Sequence, residues 1–185
     1  MNSATADRRS CSGGWLDPAT VLLRAAAAAD APAIHALIVD HLAEGHLLPR
    51  ALDEIAVHAH RFIVATRDAG VVACAELAPL SRDVSEVRSL AVGPEARHLG
   101  VGTEIIDALV ERAGVAGFGT LCAFTHAPSY FVRRGFSIVP HVWLSEKIVT
   151  DCHACPHFRR CGQYAVVRPL GRSRQALVPL ASIHG

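Results

Sequence analysis

Hydrophobic positions change period several times along this chain, and each change marks an element. Ile34, Leu37, Ile38, His41 and Leu42 follow the three-and-four spacing of a helix, with Asp30 placed to cap it and Pro32 in its first turn. Gly45 supplies the stop. Leu52, Ile55 and Ala59 repeat the helical spacing over 51–60. Before these, 20–25 reads as a first strand. Residues 62–66 form an apolar strand, Asp68-Ala69-Gly70 a hairpin turn, and 71–77 an antiparallel return. Residues 87–92 are the next strand, broken by Gly93-Pro94. Ile105, Ile106, Leu109, Val110 and Ala113 then stripe one side of a helix over 102–113. Residues 121–125 read as a buried strand, 129–134 as a short helix stopped by Gly135, and 136–139 and 164–167 as strands. Short strands interleaved with helices predict an α/β (α+β) layered fold without internal repeats.

The pattern also divides the chain. Residues 1–19 are small and polar and predict a disordered leader; 20–143 carry the core. Residues 144–170 hold a cysteine cluster and the last strand, and 171–185 read as a flexible tail. With 185 residues, 51% of them hydrophobic, one domain with a substantial core is expected. The net charge of +1 argues against nucleic acid as a partner. The most apolar stretch, 21–43, is interrupted by Arg24, Asp30, Pro32 and Asp40, which argues against a membrane span. Arg8-Arg9 followed by Val21-Leu22-Leu23 has the outline of a secretory signal, but Asp17, Pro18 and Arg24 break it. A cytoplasmic chain with six reduced cysteines is the expectation.

The densest chemistry lies between the 87–92 strand and the helix at 102. Arg97-His98-Leu99-Gly100-Val101-Gly102 joins them. A helix mouth presents amide N–H groups and the positive end of a dipole. Gly100 and Gly102 let the backbone approach a ligand closely, and Arg97 can add a charged contact. A diphosphate cradle over Arg97, His98, Leu99, Gly100, Val101, Gly102 and Thr103 is the reading. A plain glycine loop with a solvated arginine is the alternative.

Ser89-Leu90-Ala91-Val92, the Arg97-to-Gly102 segment and Phe131-Val132-Arg133-Arg134-Gly135-Phe136 together resemble the GNAT acetyltransferase superfamily over about residues 20–140. The resemblance implies a GNAT-like mixed, mostly antiparallel sheet with helices on both faces. Its two central parallel strands, 87–92 and 121–125, would splay apart around acetyl-CoA. The pantetheine arm would pair with Leu90, Ala91 and Val92, Phe131 would line the cofactor, and the Leu90 N–H would polarise the thioester carbonyl. A narrower likeness rests on Glu44-Gly45-His46-Leu47-Leu48-Pro49-Arg50, Leu52-Asp53-Glu54-Ile55, Arg61-Phe62-Ile63-Val64 and Val72-Ala73-Cys74-Ala75-Glu76-Leu77, which are similar to short bacterial N-acetylglutamate synthases. It implies acetylation of the α-amino group of a free amino acid, glutamate first, as a step of arginine biosynthesis. The partners implied are that small molecule and a second copy in a homodimer.

Arg50 and Arg88 are the candidate carboxylate forks, with Ser89 a polar neighbour. A solvated Arg50 and a salt-bridged Arg88 are the plainer readings. Strand alternation puts Arg88, Leu90 and Val92 on one face, and Ser89 and Ala91 on the other. Glu76, His126 or a water chain can take the amine proton, though Glu76 and His126 also read as structural. Many GNAT enzymes carry a tyrosine acid four residues before the Gly-Phe glycine. Here that residue is Phe131, and Tyr130 points about 100° away on a helix. Cys152, Cys155 and Cys161 have C-x2-C-x5-C spacing suited to zinc or iron, with His157 or His141 as a fourth ligand. Free packing thiols and a redox pair are the alternatives. Cys74 and Cys122 read as buried fillers, and Cys11 as unrelated. Two further functions stay open: a CoA-binding sensor governed by the cysteines, and an acetyltransferase for a protein terminus or another small amine.

Overall fold

The computed structural model describes residues 21–45, 47–155 and 157–171; the expected leader, Thr20 and the tail from 172 onward lie outside them. Seven strands form one sheet in the order β1-β2-β3-β4-β5-β7-β6. They are β1 (Leu22–Ala25), β2 (Phe62–Arg67), β3 (Gly70–Pro79), β4 (Val84–Val92), β5 (Thr120–Thr125), β6 (Ser137–Val139) and β7 (Tyr164–Pro169). Every neighbouring pair is antiparallel except β4 and β5. The hairpin between β2 and β3 turns at Asp68 and Ala69, both with positive φ, the two-residue loop that matches strand twist.

Helices cover both faces. They are α1 (Ala31–Leu42), α2 (Leu52–Val57), α3 (Val101–Val115), α4 (Pro128–Val132) and α5 (Ser145–Thr150). The α3 stripe of Ile105, Ile106, Leu109 and Ala113 is fully buried against Ala73, Ala75, Val87, Leu121 and Ala123. On the other face Ile34, Ile38 and Ile55 of α1 and α2 meet Phe62, Val64, Cys74 and Ala91. That second face carries a separate small cluster, Val84, Cys122, Val139, Leu144 and Ala165. Cys74 and Cys122 have no exposed surface, as fillers should, and burial pushes the Cys74 thiol up to about 12.

Two irregularities in β4 shape the cleft. Its parallel pairing with β5 covers only Val84 to Val87 against Thr120 to Ala123. Beyond those residues β5 follows β7 while β4 turns away, so the central strands splay as expected. Opposite β3, Cys74 pairs with Ala91 and Glu76 with Arg88, leaving one extra residue on β4. Ser89 takes it up with φ of 51°. This bulge corrects the expected alternation. One inserted residue flips every later side chain. Val87, Leu90 and Val92 therefore share the α3 side, whereas Ala91 packs with α1 on the other.

Candidate active site

The cleft opens where β4 leaves β5 and has a volume of about 1260 Å³. Its floor is Val87 to Leu90 and Ala123 to Thr125, one wall is the mouth of α3, and the far end is α5 with the cysteine segment. Ligands in open sheets with parallel strands bind at such strand ends.

Gly100 is the N-cap of α3, with φ of 85° and no capping side chain. His98 is also left-handed, with φ of 65°. Such alternation turns successive amides toward one side. Thr103 and Glu104 donate back to the Gly100 carbonyl. The N–H groups of Val101 and Gly102 therefore have no helical acceptor and face the cleft mouth. An uncapped helix start beside an unpaired strand edge fits a diphosphate and a pantetheine arm. The two glycines have different reasons. A Cβ at Gly100 would meet nothing within 4 Å, so φ demands glycine there; one at Gly102 would lie 2.8 Å from the Tyr130 hydroxyl.

Arg97, expected on the phosphate, lines the cleft and holds partners within the chain. Its Nε donates to Val92 O at 3.1 Å, and Nη2 reaches His41 Nε2 at 3.0 Å and the Glu44 carboxylate. His41 was not a sequence candidate. It lines the cleft, with Nδ1 2.7 Å from Leu37 O and Nε2 2.9 Å from Val92 O. Phe131, expected to line the cofactor, is mostly buried edge-on to Phe136 and also contributes to the cleft lining. Tyr130 lines the cleft at the start of α3 rather than at the bulge. Its hydroxyl bonds Thr103, and burial raises its pKa. Arg134 stacks on its ring at 3.6 Å and donates to Thr103 Oγ1 and Tyr130 O. Tyr130 thus braces the helix mouth.

The other end of the cleft is ionic. Arg50 Nη1 donates to Glu76 at 2.9 Å and to Ser89 Oγ at 3.2 Å, and Nη2 to Glu54 at 2.7 Å. Burial works against the charge of Arg50, but Glu54 and Glu76 more than offset it and hold its pKa above the ordinary value. The Arg50 bond holds Glu54 below the usual carboxylate range. Glu76 is 1% exposed, also faces Arg61 at 3.9 Å, and lies behind the cleft lining. His126 does line the cleft, at the end of β5. Arg88 is salt-bridged, to Glu86 and Asp151, and Lys147 joins both carboxylates at 2.8 Å. Glu86, Lys147 and Asp151 were missed by sequence reasoning. The available signals were Glu86 two places from Arg88 on one strand face, and Lys147 four before Asp151 on a helix.

Cys152, Cys155 and Cys161 all line the same cleft as free thiols. Among the described residues no three His, Cys, Asp or Glu side chains are gathered to hold a metal ion. The expected zinc or iron centre is therefore not assembled. His141 instead faces Gln163 O at 2.9 Å and the edge of Phe124. No described helix is long and apolar enough to cross a membrane.

Residues 58–138 match the acetyltransferase (GNAT) domain family. An uncharacterised N-acetyltransferase of Chlorobaculum tepidum is 30% identical over 82% of this chain and 98% of its own length. The amino-acid acetyltransferase of Pseudomonas syringae is 34% identical over 62% of this chain, which spans only 27% of that protein. N-acetylglutamate synthase from Neisseria gonorrhoeae, solved with coenzyme A and N-acetyl-glutamate, superposes with a TM-score of 0.74. It is 28% identical, over 83% of this chain and 36% of its own. With the splayed β4 and β5, the bulge and the uncapped α3, these likenesses make the chain a member of the GNAT acetyltransferase family.

Proposed function

We propose that this enzyme moves an acetyl group from acetyl-CoA to the α-amino group of a free amino acid in the cytoplasm, with glutamate the first candidate. One observation carries the reading: the β4 bulge brings Arg50, through its 3.2 Å bond to Ser89, to the place where the cofactor cleft opens. The names of the Pseudomonas and Neisseria proteins support the same acceptor class.

When bound, acetyl-CoA supplies an acetyl thioester already activated for aminolysis. The chain's own residues then have three tasks. The amides of Val101 and Gly102 hold the diphosphate, and the Leu90 N–H, next to the bulge, donates to the carbonyl oxygen. Arg50 and Arg88 orient the acceptor through its carboxylates. His126 accepts the proton that the ammonium must lose before its nitrogen can attack. No acid is assigned, since a thiolate leaves readily.

The test is coenzyme A release from acetyl-CoA over a panel of free amino acids, amines and peptides with free termini. Turnover with glutamate or a close relative supports the reading. Turnover with peptides alone overturns the acceptor class.

A further inference from the structure

Four charged side chains close a ring on the α5 side of β4. Glu86 accepts from Arg88 Nε, Arg88 Nη2 donates to Asp151 Oδ2, and Lys147 Nζ donates to Glu86 and to Asp151 at 2.8 Å. The charges alternate and cancel. The corners differ in how well they are enclosed: the side chain of Glu86 is 4% exposed and that of Lys147 14%, while that of Asp151 is 38% exposed. Asp151 is thus the outward corner, and all four residues line the cleft.

Little besides this ring favours Asp151 where it sits. It directly follows Thr150, the last residue of α5, where carbonyl ends disfavour a negative charge. Without its carboxylate the other three side chains carry a net charge of +1. Two donors, Arg88 Nη2 and Lys147 Nζ, converge on one Asp151 oxygen, Oδ2. A guanidinium and an ammonium meeting at one point form a socket for a carboxylate.

We propose that Asp151 is a placeholder: its carboxylate occupies the position that a carboxylate of the acceptor takes, and the acceptor displaces it. This rests on the amino-acid reading above and adds how that site selects its substrate. An acceptor carboxylate restores neutrality when Asp151 swings out, whereas a neutral or cationic group in the same place leaves the socket charge uncompensated. The selected class is therefore acceptors with a carboxylate reaching the Arg88–Lys147 end of the cleft. Because one carboxylate replaces another, affinity is set by a difference, and the acceptor binds more weakly than two exposed cations would allow.

The test uses glutarate, a dicarboxylate with no amine, titrated calorimetrically into the full chain and into Asp151→Asn. Asparagine keeps the shape but cannot compete as an anion. The expected result is glutarate binding about tenfold tighter in the variant, the worth of one hydrogen bond to a charged group, with coenzyme A affinity unchanged. Adding Lys147→Gln to Asp151→Asn removes a donor and reverses the gain. Should asparagine disturb folding, Asp151→Ser gives the same comparison. Equal or weaker glutarate binding in the variants, or none in any form, overturns the placeholder. Tighter glutarate binding without turnover of any amino acid leaves it standing and rejects the acceptor reading instead.

Discussion

The two ends of the cleft are built from different materials. The cofactor end is backbone: an uncapped helix mouth, a left-handed Gly100 and the free edge of β4. The acceptor end is side chain: Arg50, Glu54, Glu76, Glu86, Arg88, Lys147 and Asp151 join in charge-cancelling contacts across β3, β4, α2 and α5. These charges lie between the two apolar clusters of one sheet face. A backbone site needs few particular residues beyond its glycines. An ionic site depends on every partner, because removing one leaves a buried charge uncompensated.

The contrast breaks most severely at Glu76. Glu76→Ala strips Arg50 of a carboxylate that is 1% exposed. It should cost about 3–5 kcal/mol of stability, read from the denaturant midpoint. Coenzyme A affinity of the folded fraction should hold. A loss below about 1 kcal/mol, the range of a surface pair, would mean that the acceptor end is no more demanding than the protein exterior.

Gly100→Val probes the other end. Valine strongly resists φ of 85°, so the loop must rearrange at a strain of about 1–3 kcal/mol. Coenzyme A affinity by calorimetry should fall roughly tenfold or more, with the acceptor KM little changed. Unchanged affinity would remove this turn from the phosphate cradle. A smaller effect is expected at Arg50. Arg50→Lys keeps the charge facing Glu76 but loses the fork shared with Glu54 and Ser89. The acceptor KM should rise about tenfold and that of acetyl-CoA should stay. Equal rises in both would take Arg50 out of the acceptor site.

The same contrast decides what was legible in the sequence. The cofactor end could be read because its parts are contiguous: a strand, a turn with Gly100 and Gly102, and an amphipathic helix fall within one stretch, Val84–Val115. Even there the bulge was invisible. Nothing local marks Ser89 as left-handed, and its one-residue shift undid the alternation predicted for Arg88 and Leu90. The acceptor end could be read only in part. Arg88 was flagged because a charge on a central strand needs a partner, but Asp151 lies 63 residues away and no periodicity links them. The cysteine spacing suggested a metal, but among the described residues Cys152 and Cys155, at the start and C-cap of one short turn, are not gathered with a third ligand. The Tyr130 bond to Thr103 was equally out of reach, since Thr103 comes from another helix.

An ion pair remote from both ends supplies the smallest effect and a scale for the others. Arg24 and Asp30 join at 2.7 Å, where β1 leads into α1. The Arg24 bond, with a further one from the Ala27 N–H and against the opposing pull of burial, lowers Asp30 from 3.8 to about 2. A depressed carboxylate contributes stability that is present above its unfolded pKa and lost as pH falls through the folded one. The window here is therefore about pH 4 down to about pH 2. The whole shift would amount to roughly 2–3 kcal/mol. However, the Arg24 side chain is 45% exposed, and solvent screening reduces the worth of the pair to about 1 kcal/mol. Asp30→Asn should unfold about 1 kcal/mol more easily at pH 6, the gap should close by pH 2, and neither KM should move. A gap that persists at pH 2 would assign the stability to an uncharged bond with Ala27, and the acceptor end would then lose its exposed standard of comparison.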